Sequence, residues 1–204
     1  ARLQHPGIVR LLDGGATSDG RPYFAMEFVR GLPIHEYARA HALDVRAIVA
    51  LTVEVAEAVD YAHRNLVVHR DIKPGNILVT AAAEAKLLDF GVAKALNPSH
   101  DLTATALIPI TLDYASPEQV RNDSVTTASD IYSLGLLLYE LLSGVRAQRC
   151  AGAAPSEILR TICERDPPPP GVAASDPGLT GDLDTIVMKA IRKQPSDRYG
   201  SAEQ

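Results

Sequence analysis

The sequence predicts an α+β fold in which two strands precede a mostly helical body. Two short apolar runs, at residues 8–12 and 23–29, are separated by Gly, Asp and Pro, a pattern typical of strands joined by a turn. Apolar residues then recur at helical spacing over residues 42–64. Residues 129–143 are apolar on all sides, which indicates a helix in the middle of a core.

The remaining elements are shorter. Two strand-like runs, at 77–80 and 86–88, follow the first long helix. The stretch 92–114 has little periodicity, and a loop of that length inside a compact domain is more often functional than accidental. Two amphipathic helices are predicted at 155–165 and 183–192. The Pro-rich piece between them, residues 166–177, is expected to be a surface connection.

Composition excludes several classes of protein. The chain has 204 residues, 46% of them hydrophobic and 22% charged, which fits one globular domain and not a disordered one. A net charge of -5 gives no indication of a nucleic-acid or lipid-surface partner, because those partners select clustered Lys and Arg. The longest apolar run, residues 131–142, is too short to span a bilayer, so no membrane segment is predicted in this chain.

Cysteine usage indicates a reducing compartment. Cys150 and Cys163 are too few for a disulfide framework and lack metal-ligand spacing, so both are expected to be reduced thiols. A cytoplasmic location follows for this part of the protein. A parent protein with a membrane anchor outside this chain is compatible with the same observations.

Four short segments carry the chemistry. They are His-Arg-Asp-Ile-Lys-Pro-Gly-Asn at 69–76, Asp-Phe-Gly at 89–91, Ser-Pro-Glu at 116–118 and Asp-Ile-Tyr-Ser-Leu-Gly at 130–135. Each one alone is a weak signal, since a lone Asp-Phe-Gly is an ordinary turn tripeptide. Their order and spacing together are not expected by chance.

In these segments the chain resembles the protein kinases. In the stretches Asp-Gly-Arg-Pro-Tyr-Phe-Ala-Met-Glu-Phe at 19–28 and Tyr-Ala-Ser-Pro-Glu-Gln-Val at 114–120, it resembles the bacterial serine/threonine members of that family. The first two segments are similar to the catalytic and metal-binding loops, and the third to the Ala-Pro-Glu element with Ser in place of Ala. The resemblance implies a protein-kinase-like fold with a mainly helical C-terminal lobe. Residues 1–29 would be a two-strand remnant of the small N-terminal lobe with the hinge, and residues 30–204 the large lobe.

The resemblance implies catalytic roles for Asp71 and Lys73. To catalyse phosphoryl transfer, a protein has to position the reacting groups and neutralise the charge of the phosphates. Asp71 would accept the proton of the incoming hydroxyl, and Lys73 would point at the transferred phosphate. Tyrosine-specific members usually lack a lysine at that position, so the partners are expected to be protein substrates that offer Ser or Thr.

ATP and Mg²⁺ are the cofactors that the resemblance implies. Asn76 and Asp89 would provide oxygen ligands for the metal, since Mg²⁺ is a hard cation. Met26 would be the gatekeeper residue of the hinge. Taken alone, the segment that contains Met26 would be interpreted as an ordinary edge strand, and its position ahead of the catalytic loop is what favours a hinge. The cofactor-binding residues would be Met26, Glu27, Val29, Leu78, Asn76 and Asp89.

Structural roles are implied for residues farther along the chain. Glu118 would form a buried ion pair with Arg198, and Asp130 would cap the backbone of the catalytic loop. His63 and Tyr61, near the end of the first long helix, are expected to be packing residues and not ligands.

Arg70 next to Asp71 resembles the arginine of kinases that are switched by phosphorylation of the activation loop. The candidate threonines are Thr103, Thr105 and Thr111. Thr111 resembles the threonine that touches the catalytic Asp and Lys, which favours Thr103 and Thr105 as phosphorylation sites. The alternative is that these hydroxyls are simply solvated.

Two features of the family have no candidate in this sequence. There is no Gly-rich loop, and the first lysine is Lys73, so no strand lysine precedes the hinge. The chain alone is therefore expected to have negligible kinase activity, and to expose apolar surface where the small lobe would dock. Two interpretations stay open: part of an active serine/threonine kinase, or a non-catalytic scaffold or peptide-binding module.

Overall fold

The computed structural model describes residues 3–88, 112–179 and 181–204. Within them the α+β class expected from the sequence is confirmed. The strands are β1 (Leu11–Ala16), β2 (Pro22–Met26), β3 (Gly31–Pro33), β4 (Ile77–Thr80) and β5 (Ala85–Leu87). The helices are α1 (Ile34–Ala40), α2 (Val45–Arg64), α3 (Pro117–Arg121), α4 (Thr127–Ser143), α5 (Pro155–Cys163), α6 (Pro170–Ala174) and α7 (Asp182–Ala190).

The strands form two small antiparallel sheets. β1 pairs with β2 as a hairpin, with Leu11 opposite Met26 at its open end. β4 lies between β3 and β5 in the second sheet. The predicted first strand began three residues too early, because Val9 N donates instead to Leu87 O of β5 at 2.9 Å. The predicted second strand ran too far, to residue 29, whereas β2 ends at Met26.

The core is built around α2 and α4. Asp44 begins α2 by accepting a hydrogen bond from Ala47 N at 2.8 Å, which satisfies one of the free N–H groups of the first turn. The apolar stripe of α2 packs on β4, β5 and α4. α4 is buried along most of its length, as its apolar sequence predicted, and its other side packs on α7. These two helices carry the residues that hold the candidate site.

Gly135 is where α4 and α7 approach closely. A Cβ at this position would lie 2.7 Å from Ile191 Cγ2 and 2.8 Å from Ala190 Cβ. We expect Gly135→Ala to lower the free energy of unfolding by about 1–3 kcal/mol despite the higher helix propensity of Ala, because α7 would have to move. Urea unfolding measures the change. Gly75→Ala, whose Cβ meets nothing within 4 Å, is the matched control, and equal stabilities of the two variants would contradict this account.

The Pro-rich piece 166–177 is more deeply packed than predicted. It contains α6, in which Pro170 and Gly171 are buried. Tyr139 of α4 donates its hydroxyl to Pro168 O at 2.9 Å, and Asp184 of α7 accepts from Gly171 N at 2.9 Å. The prediction of a surface connection was wrong in this part, because Pro is well tolerated in the first turn of a helix, where an N–H would have no partner.

Both cysteines are free thiols, as predicted, and both are buried. Burial, followed by the Asp113 carboxylate, raises the pKa of the Cys150 thiol to about 12, which makes it a poor nucleophile. Among the described residues, none of the helices combines the length and the hydropathy needed to cross a membrane.

Candidate active site

Asp130 of α4 holds the beginning of the loop at residues 69–76 through its carboxylate. Its Oδ2 accepts from His69 N at 2.7 Å, and its Oδ1 accepts from Arg70 N at 2.8 Å. Asp130 is 1% exposed, so these hydrogen bonds form in a dry environment, where they are strong. Arg70 adopts a left-handed backbone conformation with φ 69°, which is unfavourable for a residue with a Cβ. The Asp130 carboxylate stabilises that conformation.

His63 belongs to the same cluster. Its Nε2 lies 2.8 Å from Asp130 Oδ2 and, because a carboxylate can only accept, Nε2 is the donor. The expectation that His63 is a packing residue missed this polar contact across 67 residues of sequence. With His63, the Asp130 carboxylate joins the end of α2, the loop and α4.

Three of the predicted site residues meet at the Asp71 side chain. Lys73 Nζ lies 2.8 Å from Asp71 Oδ2, and Asn76 Nδ2 donates to the same oxygen at 3.0 Å. Asn76 Nδ2 also donates to the Asp71 backbone oxygen at 2.8 Å. A carboxylate that accepts from a cation and an amide has one defined orientation, and the side chains of Asp71 and Lys73 retain some exposure to solvent, 19% and 26% respectively.

Of the two predicted metal ligands, Asn76 lies within the described residues and Asp89 does not. Thr103, Thr105 and Thr111 also lie outside the described residues. The residue before Asp89, Leu88, is tied to the loop on both sides: its N–H donates to Asn76 O at 2.8 Å, and its oxygen lies 2.8 Å from His69 Nε2. The chain is therefore guided to the loop immediately before Asp89.

The residues predicted to form the hinge lie at the end of the hairpin. Met26 is the last residue of β2 and is half-buried, while Phe28 is 83% exposed. Glu27 N donates to Arg10 O at 2.9 Å. Within the described residues, no backbone hydrogen bond uses Glu27 O or Val29 N. Leu78, half-buried in β4, pairs with Pro33 and Lys86.

Glu118 and Arg198 form a buried, two-pronged ion pair. Arg198 Nη1 and Nη2 donate to the two carboxylate oxygens at 2.7 and 2.9 Å. Arg198 also donates to the backbone oxygens of Ala128, Arg192 and Lys193, so its guanidinium is fully engaged. Burial would raise the pKa of Glu118, but hydrogen bonds from Arg198 and Ser129 outweigh it and lower that pKa to about 2.

Sequence reasoning missed two polar features near the site. In the first, Arg146 donates to the buried Asp113 carboxylate at 2.6 Å and approaches Glu140 at 3.6 Å, while Tyr114 hydrogen-bonds Glu140. The second is Gln119, whose Nε2 donates to Arg70 O at 2.8 Å. No short motif contains both partners of these contacts, because each contact joins positions at least 26 residues apart, except the Arg146–Glu140 approach.

A carboxylate flanked by a lysine and an asparagine, on a loop fixed by a buried aspartate, is suited to activating a hydroxyl beside a charged phosphate. These features and the α+β fold are those of the protein-kinase class. The chain belongs to the protein kinase family: the family model described as "Protein kinase domain" matches residues 1–203.

Bacterial serine/threonine kinases are among its relatives. Serine/threonine-protein kinase PknB of Mycobacterium leprae (strain TN) is 37% identical over 99% of this chain and 32% of the relative. The probable serine/threonine-protein kinase SCO3848 of Streptomyces coelicolor is 38% identical over 100% of this chain and 30% of the relative. The probable PknB of Bifidobacterium longum (strain NCC 2705) is 35% identical. The chain spans about a third of the length of these curated relatives.

Proposed function

We propose that this chain is part of a serine/threonine protein kinase that transfers the γ-phosphate of ATP to hydroxyl groups of protein substrates. The observation that carries the proposal is the cluster at Asp71, where Lys73 Nζ and Asn76 Nδ2 both contact Oδ2. The relatives named serine/threonine-protein kinase support the choice of hydroxyl.

In the proposed reaction Asp71 accepts the proton of the substrate hydroxyl. The hydroxyl oxygen forms a new bond to the γ-phosphorus of ATP, while the bond between that phosphorus and the leaving ADP breaks. Asn76 and Lys73 hold the Asp71 carboxylate in one orientation, which is what a positioned base requires. The Lys73 ammonium also places a positive charge beside the phosphate as charge develops on it.

The described residues fit Mg²⁺ and ATP in their donor chemistry. The two side-chain hydrogen bonds of Asn76 within the described residues use Nδ2 as donor, so its carbonyl oxygen Oδ1 is turned away from Asp71 and can serve as a hard oxygen ligand. Asp89 would be the second ligand. At the hinge, Glu27 O and Val29 N would provide the acceptor and the donor that an adenine edge requires, and Leu78 would contact the ring. ATP supplies the phosphoryl group and Mg²⁺ neutralises its charge.

The proposal is tested by phosphoryl transfer from γ-labelled ATP, using the protein as its source produces it and a mixture of Ser, Thr and Tyr peptides. We expect the label to appear in phosphoserine and phosphothreonine and not in phosphotyrosine. We also expect its transfer to depend on Mg²⁺. Binding of peptides without any transfer would instead support a scaffold, and label mainly in phosphotyrosine would contradict the proposed specificity.

Asn76 provides a test of the proposed metal site that does not depend on phosphoryl transfer. Asn76→Ala is expected to raise the Mg²⁺ concentration required for half-maximal ATP binding by about 10-fold or more, because one of its oxygen ligands is lost. Calorimetric titration of ATP at several Mg²⁺ concentrations measures this change. Asn65→Ala, at the exposed end of α2, is the control and should leave the Mg²⁺ requirement unchanged. The same Mg²⁺ requirement in both variants would remove Asn76 from the metal site.

A further inference from the structure

We infer that Gln119 is a positioning residue for Asp71: its side-chain amide fixes the peptide that joins Arg70 to Asp71 and so sets the direction of the catalytic carboxylate. The inference rests on the proposed function. Gln119 lies in α3, one residue after the ion-paired Glu118, and it is 49 residues away from Arg70 in sequence.

The orientation of the Gln119 amide is chemically unique. Its Oε1 accepts from Ser116 N at 3.0 Å, and its Nε2 donates to Arg70 O at 2.8 Å. A backbone N–H can only donate and a backbone oxygen can only accept, so exchanging the two ends of the amide would lose both hydrogen bonds. Gln119 therefore links the beginning of α3 to the catalytic loop with one rigid group.

The Arg70 backbone needs such support. Its φ of 69° is left-handed, a conformation that is strained for a non-glycine residue and persists only when its surroundings hold it. Asp130 Oδ1 holds the N–H on one side of Arg70 at 2.8 Å, and Gln119 Nε2 holds the oxygen on the other. The oxygen belongs to the same peptide plane as Asp71 N, so its direction fixes where Asp71 begins.

One other hydrogen bond acts on the same peptide, since Asp71 N donates to His69 Nδ1 at 3.2 Å. The contacts of Asn76 and Lys73 act beyond it. Asn76 Nδ2 binds the Asp71 backbone oxygen and carboxylate, and Lys73 binds the carboxylate. Loss of the Gln119 hydrogen bond would thus shift the carboxylate without releasing it. A misplacement of about 1 Å at a reacting group costs up to about 100-fold in rate, so a 10- to 100-fold fall in kcat is expected.

The test uses Gln119→Met and Gln119→Glu in the protein as its source produces it, with Arg121→Met on the exposed side of α3 as the control. In Gln119→Met, kcat should fall 10- to 100-fold while KM for ATP changes less than about threefold. Gln119→Glu keeps the acceptor for Ser116 N and turns a carboxylate oxygen towards Arg70 O. Its activity relative to wild type should rise as pH is lowered, because a protonated carboxyl can donate again.

A readout independent of activity separates the inference from the proposed function. The Asp71 amide shares its peptide with Arg70 O, so its NMR chemical shift and hydrogen-exchange rate should change in Gln119→Met and not in Arg121→Met. An unchanged Asp71 amide, or an unchanged kcat in Gln119→Met, would overturn the inference. Absence of phosphoryl transfer in the wild-type protein would overturn the proposed function, while the amide signal still decides the role of Gln119.

Discussion

Arg198→Met is expected to lower the free energy of unfolding by about 3–5 kcal/mol at pH 7, because the mutation leaves Glu118 buried and charged with no cation beside it. Guanidinium unfolding followed by circular dichroism measures the loss. The exposed pair of Arg165 with Glu157, 3.3 Å apart, gives the matched control: Arg165→Met should cost less than about 1 kcal/mol.

The pH dependence of stability should change sign in the Arg198 variant. The folded-state pKa of Glu118 is about 2, against an ordinary value of 4.5, so wild-type Glu118 adds stability above pH 4.5 that is lost as pH falls towards 2. Without Arg198, burial raises that pKa above 4.5, and the variant should regain stability as pH is lowered from 7 towards 4.5. Parallel pH profiles for the two proteins would contradict the assigned ion pair.

Asp71→Asn is expected to reduce kcat for phosphoryl transfer by about 10²- to 10⁴-fold, the contribution typical of a positioned general base. The variant keeps the size of the side chain but loses the proton acceptor and the charge that Lys73 contacts. Steady-state transfer from labelled ATP measures kcat, and calorimetry should show nucleotide affinity changed by less than about threefold.

Asp123→Asn is the control for that experiment, since Asp123 is an exposed carboxylate just after α3. It should transfer phosphate at the wild-type rate. A kcat for Asp71→Asn within threefold of wild type would exclude Asp71 as the base, and an equal loss in Asp123→Asn would point to a general effect of charge.

The elements predicted correctly are those whose side chains repeat regularly. α2 and α4 are long, and their apolar positions recur over several turns, so periodicity alone indicates them. α1 was not predicted, because seven residues are too few for a helical period to be read. β3 was not predicted, because two of its three residues are Gly and Pro, which usually interrupt a strand. α6 was hidden by its prolines, which usually interrupt structure but here occupy the first turn.

The candidate site divides in the same way. Asp71, Lys73 and Asn76 were named through resemblance to the protein kinases, which a short motif can carry because the three residues are close along the chain. The Glu118–Arg198 pair was also named through that resemblance, although its two residues are far apart in sequence. Gln119 could not be named at all, because its role depends on how α3 packs against a loop 49 residues earlier. Asp89 and the predicted phosphorylation sites remain predictions.

The hydrogen bonds from His69 and Arg70 to Asp130 also bear on synthesis of the protein. A ribosome adds about 5–20 residues per second, so Asp130 is made about 3–12 seconds after Asp71. Until α4 has been made and docked, the Asp130 carboxylate cannot hold Arg70 in its left-handed conformation. The nascent chain therefore carries all the residues of the loop at 69–76 for seconds before the carboxylate that fixes this loop is in place.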